Sequence, residues 1–341
     1  MSKAKRCWIV TDGRAGIENQ ALGLAEALAR LTPIELSRKV IAVQWPWRAA
    51  PRFFWGDPFS KLSSAGSLLR PPYPDIWIGC GRLSVPLTMA VKRQAPETFT
   101  VQLQNPRARH SAFDLVIPPS HDAIAGENIF SILGAPNRIT PALLEEEARD
   151  AAPLVGGLSS PRVAVLIGGT NADNVVTRKQ ARRLLDALET LVRGGAALMI
   201  TYSRRTPATV RELIDPFARD RDGVFLWDGE TAFGAANPYL GILAQADHVI
   251  VTGDSVNMAT DAGAAGKPVH IFFWEGDVSN VTKKFRRFFA ALFDRGVARP
   301  FSGDLTPWDY EPLNETTRAA AELEKRFIAA SPAPTGDKTA A

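Results

Sequence analysis

The feature that most limits the folds open to this chain is a recurrence of short, β-branched apolar runs, several of them closing on glycine or a helix-capping residue before a helix-period segment. Such runs are strands buried on both faces, and their alternation with helices is the signature of parallel βαβ sheets. In the first half they fall at Cys7–Thr11, Val40–Val43, Asp75–Gly79, Phe99–Leu103 and Phe113–Ile117. In the second half they fall at Val163–Ile167, Ala197–Thr201, Val224–Trp227, His248–Thr252 and Val269–Phe273. A length of 341 residues leaves room for two such sheets. The Pro-, Gly- and Ser-rich segment Asp150–Arg162 has no helical period and predicts the linker. The expected fold class is therefore α/β, with two Rossmann-like doubly wound domains facing a cleft. The first is expected over residues 1–150, the second over 151–330, and a disordered tail over 331–341. Glu315–Ala330 reads as the last helix.

Composition narrows the function classes. With 45% hydrophobic and 22% charged residues, the chain has no disordered or disulfide-rich signature. Cys7 and Cys80 are its only cysteines, each in or beside an apolar run, and no CxxC pair or Cys/His cluster exists; a reducing compartment and no metal site are expected. A net charge of +4 is too mild to indicate nucleic acid. The basic N-terminus is followed by too short an apolar run for a signal-peptide core, and no stretch approaches the roughly 18 apolar residues of a spanning helix. A cytoplasmic protein is expected, with peripheral contact at the inner membrane left open.

In open α/β sheets, ligands sit beyond the carboxyl ends of the strands, where loops lead into helix N-termini. Four such loops stand out. In TDGRAGIENQ, Gly13 and Gly16 permit a tight turn and close approach to an anion or sugar, while Asn19 and Gln20 add amide groups on the first helical turn. In VLIGGTNADN, Gly168, Gly169, Thr170 and Asn171 offer backbone N–H groups and small polar side chains to a diphosphate. In TYSRRTP, Ser203, Arg204 and Arg205 precede a helix for which Thr206 is the expected cap, and the arginines suit a phosphate clamp. In VTGDSVNMATD, the strand ends in Thr252, Gly253, Asp254 and Ser255, and a short helix of small residues carries Met258 and Asp261. Ser255 is the expected cap of that helix, and Asp261 a candidate acceptor for ribose hydroxyls.

These residues also carry a resemblance. The segment from Thr252 through Asp261 to Gly266-Lys267-Pro268 resembles the donor site of GT-B glycosyltransferases of the peptidoglycan N-acetylglucosaminyl transferase type. A wider match is to the mitochondrial-fission Elm (Elongated Mitochondria-like) family, of which the chain looks like a bacterial member. That match runs through Trp8–Leu28, Gly168–Asn171, Ser203–Pro207, Asn237-Pro238-Tyr239, Thr252–Met258, Gly266–Val269 and Trp308–Asn314. The resemblance implies a GT-B fold and a nucleotide-diphosphate sugar as substrate, with no cofactor required. One departure is Asp261, where the family's usual acid resembles Glu.

A transferase of this kind binds its donor in the second domain and an acceptor, unidentified here, in the first, and draws its general base from the first. Asp12 is the first candidate and His110 the second. The rival readings are a sugar-nucleotide epimerase or hydrolase on the same fold, and a non-catalytic fission-type adaptor. Trp45–Arg70 holds three Trp, three Phe, three Arg and one Lys against a single acid, Asp57, and Lys283–Phe289 repeats the basic and aromatic theme on an expected helix. Both suit an anionic membrane surface, or else aromatics packed inside with their cations solvated.

Overall fold

A computed structural model describes residues 4–51, 54–64, 66–170, 175–229 and 237–330. The chain divides into two compact units: unit 1 comprises Met1–Arg138 with Asn314–Ala341, and unit 2 comprises Ile139–Leu313. Each holds one parallel sheet.

In unit 1 the strands are β1 (Lys5–Thr11), β2 (Ile34–Val40), β3 (Ile76–Cys80), β4 (Phe99–Leu103) and β5 (Leu115–Ile117), in the order β2-β1-β3-β4-β5. Alternate side chains supply two cores. Cys7, Ile9, Ile76 and Ile78 face the cluster under α1 (Ala15–Ala29), while Trp8, Val10 and Trp77 face the cluster beside α2 (Val85–Gln94). The strand expected at Val40–Val43 lies instead at Ile34–Val40. As an edge strand it alternates polar and apolar residues, which hides it from a search for continuous apolar runs.

Unit 2 holds β6 (Arg162–Ile167), β7 (Ala197–Tyr202), β8 (Val224–Trp227), β9 (His248–Thr252), β10 (Val269–Phe272) and β11 (Ala298–Pro300). Their order is β11-β10-β9-β6-β7-β8, and every neighbouring pair is parallel. Counted from β6, this is the doubly wound dinucleotide-fold order. Its helices are α3 (Pro141–Val155), α4 (Arg178–Arg193), α5 (Ala208–Arg219), α6 (Tyr239–Gln245), α7 (Val256–Ala264) and α8 (Lys283–Asp294).

The linker expected at Asp150–Arg162 is not where the units divide. Helix α3 runs through Asp150 to Val155, capped by Thr140, whose hydroxyl accepts from the Leu143 N–H at 3.2 Å. It packs closely on α6: a Cβ at Gly241 would stand 2.3 Å from the Ala151 methyl. The division falls at Arg138/Ile139, and the chain returns to unit 1 at Asn314. The last helix, α9 (Glu315–Ala330), lays Ala319, Ala320, Leu323 and Phe327 into the core under α1. Its first residues hold the return: Glu315 Oε2 accepts from the Leu133 N–H, and Thr316 Oγ1 from the Asn137 N–H, both at 2.9 Å. Proline and glycine marked a turn after a helix here, not a domain boundary.

Candidate functional site

In a doubly wound sheet, the crevice for a ligand opens where successive crossovers leave in opposite directions. In unit 2 that point lies between β6 and β9, and in unit 1 between β1 and β3. The loops singled out in the sequence sit at these two places.

At the unit 2 point, Asp254 ties three strand ends together. Its Oδ2 accepts from the Gly169 N–H at 2.8 Å and from Arg205 at 3.0 Å; its Oδ1 accepts from the Thr252 hydroxyl at 2.8 Å and the Trp274 indole at 2.9 Å. The Thr252 oxygen in turn accepts from the Gly168 N–H at 2.8 Å. The Asp254 side chain is 2% exposed, and Arg205 with three further donors satisfies its two oxygens. Both glycines are required here. A Cβ at Gly168 would stand 2.2 Å from Asp254 Oδ2, and one at Gly169 would stand 2.0 Å from the Arg205 carbonyl oxygen.

This network revises two expectations. The N–H groups of Gly168, Gly169 and Thr170 serve Thr252, Asp254 and the Arg205 carbonyl, so in this structure they brace the loop instead of standing open to a diphosphate. Thr206 does not cap α5, which begins after Pro207 with no side-chain cap. Its hydroxyl lies 2.6 Å from the Gly168 carbonyl oxygen and accepts from the Ser203 N–H at 3.0 Å, joining the β6 and β7 loops. Trp274 was not anticipated, although its place just past β10 is itself a strand-end position. Asn171 lies outside the described residues.

The remaining groups frame this centre. Ser255 caps α7 as expected, its hydroxyl accepting from the Met258 N–H at 3.4 Å. Gly253 passes close to the Phe273 ring, 2.7 Å from where a Cβ would stand. Arg204 is exposed, and Arg205 keeps 42% of its side chain accessible beyond its bond to Asp254. Asp261, on α7, accepts a 3.0 Å hydrogen bond from the hydroxyl of Tyr239, the third residue of the Asn237-Pro238-Tyr239 motif. Burial pushes the Asp261 carboxyl up to about 7, against a smaller opposing effect of the Tyr239 hydroxyl. Two separate sequence motifs thus meet as one pair.

At the unit 1 point, Asp12 follows β1 and forms a paired contact with Arg14, whose Nε lies 2.9 Å and whose terminal nitrogen lies 2.7 Å from Oδ2. Gly13 makes the turn with φ of +75°, a conformation that side-chain-bearing residues resist. A cavity of about 370 Å³ opens here, with Asp12, Arg14, Trp45, Arg48 and Arg82 among its walls. Gly16 and Asn19 lie on α1, and Asn19 is exposed. Gln20 is buried and accepts from Gln104 at 3.0 Å, a packing role where a ligand donor was expected. His110 begins a one-turn helix after β4 and is not among the residues lining this cavity.

The basic and aromatic segments divide along their length. In α8, Phe288 and Phe289 are fully buried, so there the packed alternative holds. In the first segment Trp55 is buried while Trp45 is 86% exposed. His248 and His270 meet in the interior with ring nitrogens 3.3 Å apart and their planes tilted by 45°. Among the described residues no group of three His, Cys, Asp or Glu side chains could hold a metal, and no helix is long and apolar enough to cross a membrane.

Two parallel α/β units, each with its switch point at the carboxyl edge of the sheet, define a protein of the GT-B kind. The UDP-GlcNAc 2-epimerase of Neisseria meningitidis, solved with UDP-GlcNAc, is similar over 95% of this chain and 100% of its own, with a TM-score of 0.51 and 11% identity. That likeness is one of fold. The family model for mitochondrial fission ELM1 matches residues 15–327, and the chain belongs to that family. The mitochondrial fission protein ELM1 of Arabidopsis thaliana is 30% identical over 283 residues, 75% of this chain, which spans 64% of the plant protein's length. An uncharacterised protein of Rickettsia prowazekii is 26% identical over 92% of this chain and 96% of its own.

Proposed function

We propose that the protein is a nucleotide-sugar-dependent glycosyltransferase whose unit 2 takes the nucleoside diphosphate of the donor. The observation that supports this most is the braced switch point between β6 and β9. Asp254 fixes three strand-end loops there, and Arg205, Arg204 and the N-terminus of α7 remain to meet an anion. The diphosphate would bear on the outer edge of Arg205 and on the helix dipole, and the ribose on the Asp261–Tyr239 pair. Catalysis would then rest on orientation and on stabilising the leaving diphosphate. No cofactor enters this reading, and the acceptor is left to experiment.

Asp12 is the proposed base in unit 1. Both of its carboxylate oxygens are occupied by Arg14, so proton abstraction needs the Arg14 side chain to move aside. His110 is the second choice. The proposed setting is the cytoplasm, with the protein at an anionic membrane face through the exposed part of the Trp45–Arg70 segment.

A thermal-shift and calorimetric screen across nucleoside diphosphates and their sugars tests the reading, starting with uridine diphosphate because the Neisseria epimerase of like fold binds UDP-GlcNAc. Binding of a nucleotide sugar, with transfer to an added acceptor fraction, is the expected result. Conversion of the donor without acceptor would favour the epimerase or hydrolase alternative. Failure of every nucleotide to bind would favour an adaptor, a role in keeping with the fission protein of Arabidopsis to which the chain is 30% identical.

A further inference from the structure

Unit 1 has a second cavity, of about 680 Å³, that the proposed transfer reaction does not use. It runs along the outer face of α2, where Pro86, Met89 and Arg93 follow one another at helical spacing and cover about 10 Å of the helix. Trp55 forms part of the wall opposite in sequence, supplied by the loop after β2, and Arg82 and Arg107 come from the loops after β3 and β4. Arg82 also lines the cavity beside Asp12, so the two cavities share that side chain.

The chemistry of the lining is uneven. Proline, methionine and tryptophan give it an apolar wall, three arginines bring positive charge to it, and no acidic side chain among the described residues lines it. Trp55, 1% exposed, belongs to that apolar wall. Among the described residues, three of the six large apolar side chains most exposed to solvent, Trp45, Phe54 and Leu68, belong to the same loop region that supplies Trp55. Apolar groups left in water on the loop that supplies a wall of the cavity favour an amphiphile over a purely polar solute.

We propose that this cavity binds a single-chain amphiphilic anion, with the alkyl chain along Trp55, Pro86 and Met89 and a phosphate-like head at Arg82 and Arg107. The stem of Arg93 covers the chain, as long cationic side chains do over apolar surface. The head then lies at the shared side chain Arg82, next to the cavity that holds Asp12. The site requires neither nucleotide binding nor turnover.

Calorimetry on the full chain with octyl, decyl and dodecyl phosphate below their micellar concentrations tests it, with inorganic phosphate, decyl maltoside and phosphatidylglycerol vesicles as separate arms. Binding is expected to tighten roughly fourfold per methylene until the cavity is filled. Arg82→Gln and Arg107→Gln should each weaken decyl phosphate by at least about tenfold, and Met89→Gln should flatten the dependence on chain length. Circular dichroism melting identifies any variant that fails to fold; Arg107, on an exposed loop, keeps the test available if Met89→Gln does. Equal affinity for inorganic phosphate, or for neutral decyl maltoside, would overturn the proposal. So would binding to vesicles alone, which would move the contact to the exposed surface around Trp45, and so would no binding in any arm.

Discussion

At the carboxyl edge of the unit 2 sheet, one buried carboxylate, Asp254, is met by four donors and holds three loops in place; at the equivalent edge of unit 1, Asp12 meets one arginine beside an open cavity. Topology placed both acids one or two residues past a strand at a switch point. What differs is the number of partners, since both carboxylates are largely buried, at 2% exposure for Asp254 and 9% for Asp12. A carboxylate held by donors from several loops fixes those loops, so the site is built before any ligand arrives. One held by a single arginine that is itself half exposed can exchange that partner, and exchangeability is what a reacting group needs.

The largest expected difference between the two acids is in stability. Asp254→Ala takes the acceptor from the buried Gly169 N–H, Thr252 hydroxyl and Trp274 indole and the carboxylate from Arg205, and is expected to cost about 3–5 kcal/mol. Asp12→Ala breaks a pair whose arginine is half exposed, and should cost no more than about 1 kcal/mol. Urea titrations of the two variants decide it, and similar losses would remove the contrast. The next effect is on turnover. If Asp12 is the base, Asp12→Asn lowers transfer by on the order of 100-fold while leaving melting temperature and donor affinity as they were. Retained turnover would make Asp12 a partner of Arg14 and nothing more.

A third comparison uses glycine. Gly168→Ala drives a methyl into Asp254, and should lower the stability of unit 2 by about 1–3 kcal/mol. Gly157, where a Cβ would meet nothing within 4 Å, serves as the control, and its alanine variant should match the wild type. The smallest effect is one of pH, read within unit 2. Asp261 is raised to about 7, so the folded state keeps a proton the unfolded chain has released, and stability falls as pH climbs from the ordinary carboxylate range through about 7. Burial, with His248 beside it, lowers His270 to about 4, so the folded state refuses a proton the unfolded chain accepts. Its contribution is lost as pH falls from the ordinary imidazole range toward 4. The two slopes oppose each other. Asp261→Asn should therefore leave a protein whose denaturant midpoint rises with pH over the acidic range, more steeply than that of the wild type.

Much of this arrangement was legible in the sequence because it follows from strand endings. The interior strands and the edge strands β5 and β8 were visible as apolar runs, and the edge strands β2 and β11 were not: β2 alternates polar and apolar residues, and β11 has only three residues. The loops carrying Gly168, Arg205 and Asp254 were found for the same reason, since each directly follows a strand. Which groups would be consumed inside the network was hidden, because it depends on a distance between loops far apart in the chain. Gly169 and Asp254 are 85 residues apart and their bond is 2.8 Å long. The return of α9 to unit 1 was hidden in the same way: Glu315 meets Leu133 across 182 residues, and nothing local to either announces it.

The central claim is that a nucleoside diphosphate occupies the switch point of unit 2. Hydrogen-exchange mass spectrometry of the full chain, with and without saturating uridine diphosphate or the nucleotide the screen selects, tests it most directly. The account predicts slower exchange in the segments that contain Ser203–Thr206 and Thr252–Met258, with the loop Asp12–Gly16 unchanged by nucleotide alone. Protection confined to Asp12–Gly16 and the residues around Arg82, or bound nucleotide that slows exchange at neither unit 2 loop, would contradict it.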